Sequence, residues 1–211
     1  MKMPVAVSRP ELYLEELADL SVSLGGLREA AYFAYAQKEK VPFTCPQTAA
    51  GSIFWFMGTH ALREGLRPDG WLTLADRGSE GVINDTGDKC ILFLAGDNAV
   101  GIASSTPKTY RNKGPNTIQA VLENAQLNLF ENAADTQYAC YRETWIYLVY
   151  VDSAKGEIRS EISLPSEINP KGVILSWSKR IILPVINLNK VSDDAFVDDS
   201  IDVGFDISKK R

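Results

Sequence analysis

The hydrophobic period of this chain changes once, near Trp71, and that change constrains the fold more than any other feature. Before it, apolar residues recur at helical spacing: Leu14, Leu17, Leu20 and Leu24 fall on one helical side, behind a Ser8/Glu11 capping-box pattern with Pro10 in the first turn. Gly25-Gly26 reads as the stop of that helix, because glycine accepts the left-handed geometry of a C-terminal cap. A second helix, rich in Ala and aromatics, is expected from Leu27 to about Lys38. A third runs from Gln47 to Leu66 and is apolar nearly all round, which places it at the centre of its domain.

After Trp71 the pattern is that of strands and turns. Short strands are expected at Trp71 to Leu74, Cys90 to Ala95 and Ala99 to Ser104, the last two joined as a hairpin by Gly96-Asp97-Asn98, with a Gly- and Asp-rich loop over 75–89. A fourth helix spans Thr117 to Glu131 with Ile118, Val121, Leu122, Ala125 and Leu129 as its stripe. Longer strands follow at about Tyr138 to Val151 and at Glu157 to Leu164. Val173 to Ile182 is apolar but fits either type. Helices first and hairpins afterwards predict an α+β fold, an N-terminal helical bundle packed on a mainly antiparallel sheet built from hairpins. The whole of 1–211 reads as a single domain: a helical part at 1–66, a sheet with one helix at 67–191, and an acidic terminal strand at 192–211.

Composition agrees with one globular unit. Hydrophobic residues make up 45% and charged residues 23% of 211, which excludes a disordered tail, a collagen-like rod and a disulfide-stapled mini-protein. A net charge of −5 argues against bulk coating of nucleic acid. Cys45, Cys90 and Cys140 are odd in number and widely spaced, which points to reduced thiols and a cytoplasmic protein. With one His and no Cys-x-x-Cys, zinc sites of Cys and His pairs are excluded. No signal-peptide core is readable near Met1. Residues 41–62 carry no charged side chain, yet Pro42, Pro46, Gln47, Thr48, Ser52, Thr59 and His60 interrupt them, so a buried helix is expected rather than a membrane span.

Named catalytic arrangements are missing. No Gly-x-Gly-x-x-Gly follows a strand, no phosphate-binding Gly-x4-Gly-Lys-Ser/Thr occurs, and Gly78-Ser79-Glu80-Gly81 lacks the spacing of a nucleophile elbow. What remains is a set of local charge features. Asp76, Glu80, Asp85 and Asp88 precede Lys89. Several carboxylates with a nearby lysine are the donor set of a divalent-ion enzyme, with Mg²⁺ or Mn²⁺ as cofactor and Asp85, Asp88 and Lys89 as catalytic residues. Solvated turns account for the same residues. The window 98–122 holds no acid and carries +3 from Lys108, Arg111 and Lys113, with Tyr110 among them; this is the best anion-binding candidate.

Trp177, Lys179 and Arg180 could form an aromatic and basic contact surface. The last 20 residues contribute −3 of the net charge and the first 191 only −2. There Ile201, Val203, Phe205 and Ile207 alternate with Asp202, Gly204 and Asp206, a strand with one apolar and one acidic face that suits addition to a sheet edge, its own or a partner's. Asp202, Phe205 and Asp206 are therefore grouped with Trp177, Lys179 and Arg180 as partner-binding candidates. A DNA-reading helix-turn-helix is disfavoured, because a groove-reading helix needs exposed polar and basic residues and 47–66 offers only His60 and Arg63 among its apolar faces.

The Thr-Pro-Lys-Thr-Tyr-Arg-Asn-Lys-Gly loop, the helix end Ala-Gln-Leu-Asn-Leu-Phe, Glu-Ile-Ser-Leu-Pro and Trp-Ser-Lys-Arg-Ile-Ile-Leu-Pro together resemble small uncharacterised bacterial proteins of unknown activity, among them ones linked to host-defence or regulatory loci. The resemblance covers about a quarter of the chain and implies no functional residue. The leading expectation is a cytoplasmic binding or regulatory protein, without a cofactor, acting through a protein partner or self-association. The alternative is a metal-dependent nuclease or phosphate-acting enzyme of a defence or toxin system, using loops 76–89 and 106–113.

Overall fold

The computed structural model describes residues 6–7, 12–76, 78–130 and 142–189. In chain order the elements are β1 (Ala6–Val7), α1 (Tyr13–Asp19), α2 (Leu24–Glu39), α3 (Ala49–Leu66), β2 (Leu72–Asp76), β3 (Ser79–Ile83), β4 (Lys89–Ala95), α4 (Pro115–Phe130), β5 (Glu143–Asp152), β6 (Glu157–Ile168), β7 (Ile174–Ile182) and β8 (Ile186–Asn187). One sheet runs in the order β1-β7-β6-β5-β4-β3-β2, and β8 pairs with the first two residues of β6. Neighbours are antiparallel except β1 with β7 and β4 with β5. The α+β class follows, with helices α1 to α3 preceding the main sheet.

The β4–β5 pairing departs from a sheet built only of hairpins. Parallel neighbours need a crossover, and α4 with the loop before it supplies one. Helices therefore cover both faces. Trp145, Tyr147 and Val149 of β5 join the core under α1 to α3, whereas Ile146 and Leu148 join a second core with Val100, Val121 and Trp177. A strand buried on both faces reads as a continuous apolar run, which is what Trp145 to Val149 shows.

Several boundaries differ from the sequence pattern for identifiable reasons. Gly25 and Gly26 open α2 rather than closing a helix: Ser23 caps it, its Oγ accepting the Gly26 N–H at 3.3 Å, and the chain turns at Ser21 with φ 54°. Gly26 is required by packing, since a Cβ there would stand 2.4 Å from the Gly65 carbonyl oxygen where α2 crosses α3. Helix α3 lies on the sheet rather than at the centre. Phe54, Gly58, Leu62 and Leu66 are buried, while Phe56 is 51% exposed and His60 faces solvent beside Phe33. Gly58 receives the Phe93 ring, a contact any Cβ would block.

The loop expected over 75–89 contains β3. The strand expected over 99–104 is a run of turns instead, with Gly101 at φ 73° and only Val100 buried. The ambiguous segment near 173–182 is β7. Leu122, placed on the core stripe of α4 by its spacing, is 45% exposed. The capping pattern at Ser8 and the strand at 201–207 lie outside the described residues. No helix among the described residues is long and apolar enough to cross a membrane.

Candidate functional site

Strand alternation sends the acidic residues in different directions. Asp76 and Ser79 face the α4 side, lining a cavity of about 350 Å³ with Cys90, Gln119, Glu123 and Arg142. Arg142 Nη1 stands 4.0 Å from Asp76 Oδ2 there, and burial pushes the Cys90 thiol up. Glu80 turns to the opposite face and pairs with Arg63 of α3, which also donates to the Gly81 carbonyl at 3.0 Å and the Leu74 carbonyl at 2.6 Å. Asp85 and Asp88 sit beyond the other end of β3, in the turn into β4. Asp85 accepts the Thr86 N–H at 2.8 Å, and Asp88 accepts from Thr86 Oγ1 at 2.5 Å and Asn84 Nδ2 at 2.6 Å. Those side-chain hydrogen bonds, Thr86 first and Asn84 second, hold the Asp88 carboxyl below its usual range.

The expected metal set, Asp76, Glu80, Asp85 and Asp88, therefore does not converge. Among the described residues no three His, Cys, Asp or Glu side chains gather closely enough to hold a metal ion. The expected catalytic set is a hairpin turn: Asp85 and Asp88 organise its backbone, and Lys89 begins β4 with its N–H donating to Asn84 Oδ1 at 2.9 Å. Local charge density suggested a site, but hairpin geometry dispersed it.

The expected partner surface on β7 is also corrected. Trp177 is 1% exposed and Arg180 2%, and Lys179 pairs with Glu16 at 3.3 Å. A register shift between Leu164 and Pro165 of β6 leaves Ser178 bulged, so Trp177 and Arg180, three apart in sequence, reach the same face. There Arg180 forms a two-point ion pair with Glu161, itself 0% exposed, through Nε–Oε1 at 2.9 Å and Nη2–Oε2 at 2.6 Å. Asp202, Phe205 and Asp206 lie outside the described residues.

This buried pair organises the basic loop. Residues 96–114 leave the C-terminal end of β4 and fold across the α4 side of the sheet. Gly101 N–H donates to Glu161 Oε2 at 2.9 Å, Arg180 donates to the Ser105 carbonyl at 2.6 Å, and the Trp177 indole donates to the Pro107 carbonyl at 3.0 Å. Asp97 Oδ1 accepts the Lys108 N–H at 3.1 Å. Tyr110 N–H reaches the Ala95 carbonyl at 2.9 Å, and Lys113 N–H the Gly172 carbonyl at 2.8 Å. The backbone is thus tied along its length.

Its basic side chains are not. Lys108, Tyr110 and Arg111 are exposed and Lys113 is half-buried; none of the three cations makes an ion pair among the described residues. Burial, and next the Arg111 charge, pull the Lys113 ammonium down to about 8. Helix α4 starts at Pro115 with no acidic residue in its first turn, so its dipole adds to the same positive field. The loop also stands at the carboxyl end of β4 beside a parallel neighbour, the edge where open sheets with crossover helices receive ligands. All four anion candidates, Lys108, Tyr110, Arg111 and Lys113, belong to this loop.

Sequence reading missed Glu161, the residue that anchors the loop. A signal existed: Arg159, Glu161 and Ser163 alternate along β6, and all are buried. A polar face on an otherwise apolar strand requires polar partners above it. No protein family, curated protein or solved structure matches this chain.

Proposed function

We propose that this is a binding protein whose working surface is the basic loop and whose ligand carries phosphate. One observation carries the reading. Lys113 is half-buried on a fixed backbone beside Arg111, and neither has a carboxylate partner among the described residues. Desolvating an ammonium next to a like charge costs free energy, and a bound anion would offset it. The metal-dependent alternative needs the acidic hairpin to converge, and its dispersal supports binding over that form of catalysis. Of the three cysteines, Cys45 is exposed and Cys90 buried, both as free thiols, and Cys140 lies outside the described residues.

Calorimetric titration with inorganic pyrophosphate at low salt tests this. Saturable binding is expected, weakened tenfold or more by Lys113→Met and by Arg111→Ala but unchanged by Asp85→Asn (a ~1.4 kcal/mol loss for each tenfold step). Absence of binding, or equal binding by all variants, refutes the proposal.

Self-association is a second reading, favoured by β2. Among the described residues it is the last strand of the sheet, and Leu72 on it is 57% exposed. Light scattering should then show a dimer that Thr73→Pro converts to monomer; a wild-type monomer ends this reading.

A further inference from the structure

We infer that the phosphate-bearing ligand is a single-stranded nucleic acid, and that its track runs from the basic loop onto the connector between α2 and α3. The inference rests on the anion-site reading above and names its ligand. Two stretches without an acidic residue, 40–63 and 98–122, are far apart in sequence. They meet at Arg111, whose Nη2 lies 4.0 Å from the position a Cβ on Gly51 would take, in the first turn of α3. The meeting joins the basic loop to a connector in which every residue from Pro42 to Thr48 is exposed.

Two aromatic rings stand in water on these segments: Phe43 is 99% exposed and Tyr110 is 76% exposed. Neither contributes to a core. Tyr110 lies between Lys108 and Arg111, so a ring able to stack on a base alternates with cations able to hold the flanking phosphates. Bases offer a π-face whatever their identity, and the backbone supplies a regular row of charges, so this mixture suits a single strand. Exposed Gln47, Thr48 and Asn112 add hydrogen-bonding groups without adding negative charge.

A net charge of −5 makes the rest of the protein a poor surface for phosphates, which confines the strand to this track. An anionic membrane fits less well. The exposed Phe43 and Phe56 are interspersed along the chain with the polar Gln47, Thr48 and Ser52, unlike the apolar face of a membrane-inserting helix.

Fluorescence anisotropy with a labelled oligothymidylate of about 12 nucleotides tests the inference. Pyrophosphate titration and phosphatidylserine vesicles serve as parallel arms. The expected result is saturable, salt-sensitive binding of the oligonucleotide. Phe43→Ala and Tyr110→Ala each weaken it by about 5- to 100-fold at an unchanged salt slope, while Lys108→Ala and Arg111→Ala each lower that slope by roughly one. Both rings lie in water, so these aromatic substitutions leave the core intact.

If pyrophosphate binds and is lost in Lys113→Met, while the oligonucleotide fails to bind or ignores both aromatic substitutions, the anion site stands and this inference is overturned. Phe43-dependent vesicle binding without oligonucleotide binding overturns it in favour of a membrane. If neither pyrophosphate nor oligonucleotide binds, the site reading and the inference fall together.

Discussion

The acidic hairpin and the basic loop are both polar, charged and placed beside β4, yet they use charge in opposite ways. In the acidic segment 76–88, which spans two hairpin turns, every carboxylate considered has a partner: Asp76 has Arg142, Glu80 has Arg63, and Asp85 and Asp88 bind their own turn. In the loop the backbone is tied by Glu161, Arg180 and Trp177, while Lys108, Arg111 and Lys113 make no ion pair among the described residues. Charge that shapes the chain is neutralised within it. Charge left unneutralised on a fixed backbone remains available to a ligand.

The largest test of this contrast is the buried pair. Arg180→Met or Glu161→Leu alone should each destabilise the fold by about 3–5 kcal/mol in urea unfolding, because each leaves an uncompensated buried charge. The double variant should recover much of that loss. Each single variant should also weaken pyrophosphate binding although every loop cation remains. Unchanged binding would mean that backbone tethering does not make the loop a site, and the contrast would break at its centre.

Gly172→Ala should come next. Its φ of 78° and a Cβ only 2.1 Å from the Lys113 carbonyl oxygen combine strain with a clash. A loss on the order of 1–3 kcal/mol in thermal unfolding is expected, together with weaker anion binding through displacement of Lys113. A variant that keeps wild-type stability would show that the hairpin tip at 169–173 does not hold the loop.

Lys113→Met should change stability in the other direction. The folded amine titrates near 8 against an ordinary 10.5, so the unfolded chain binds more protons between those values. Wild-type stability should therefore rise as pH climbs through that window, and the variant should lose this slope. At neutral pH the variant should be more stable by on the order of 1–2 kcal/mol, once solvent screening of the half-buried group is allowed for. Anion affinity of the wild type should fall as pH passes about 8, because the free ammonium deprotonates there. An affinity flat across that window would remove Lys113 from the site.

The smallest effect belongs to the hairpin. Asp85→Asn and Asp88→Asn should cost no more than about 0.5–1 kcal/mol and leave pyrophosphate affinity unchanged. The lowered Asp88 carboxyl stabilises the fold above the usual carboxylate range and loses that contribution as pH falls through it. Asp88→Asn should flatten this acid limb in urea unfolding. A large loss of anion binding in either variant would erase the distinction between the two regions.

Much of the fold was legible from period alone. Helices near 24–39, 49–66 and 115–130 and the strands β4 to β6 follow apolar spacing, and spacing reflects which face each element buries. Pairing partners were less accessible. Cys90 to Ala95 looked like half of a hairpin because Gly96-Asp97-Asn98 is a turn, yet the strand pairs in parallel with β5, across the crossover helix. Trp177 and Arg180 looked like a surface because strand alternation alone cannot show a bulge at Ser178.

By itself the sequence determined where the charges lie, which segments are free of acid and where the hydrophobic period turns from helix to strand. These are local properties, readable within a few residues. Only the tertiary structure decided which charges are neutralised. Arg63 meets Glu80, Arg142 meets Asp76, and Arg180 meets Glu161 across distances in sequence that sheet register and one bulge close to 4.0 Å or less. The same folding brings Arg111 to Gly51 without delivering a carboxylate from among the described residues, and on that juxtaposition the proposed anion site rests.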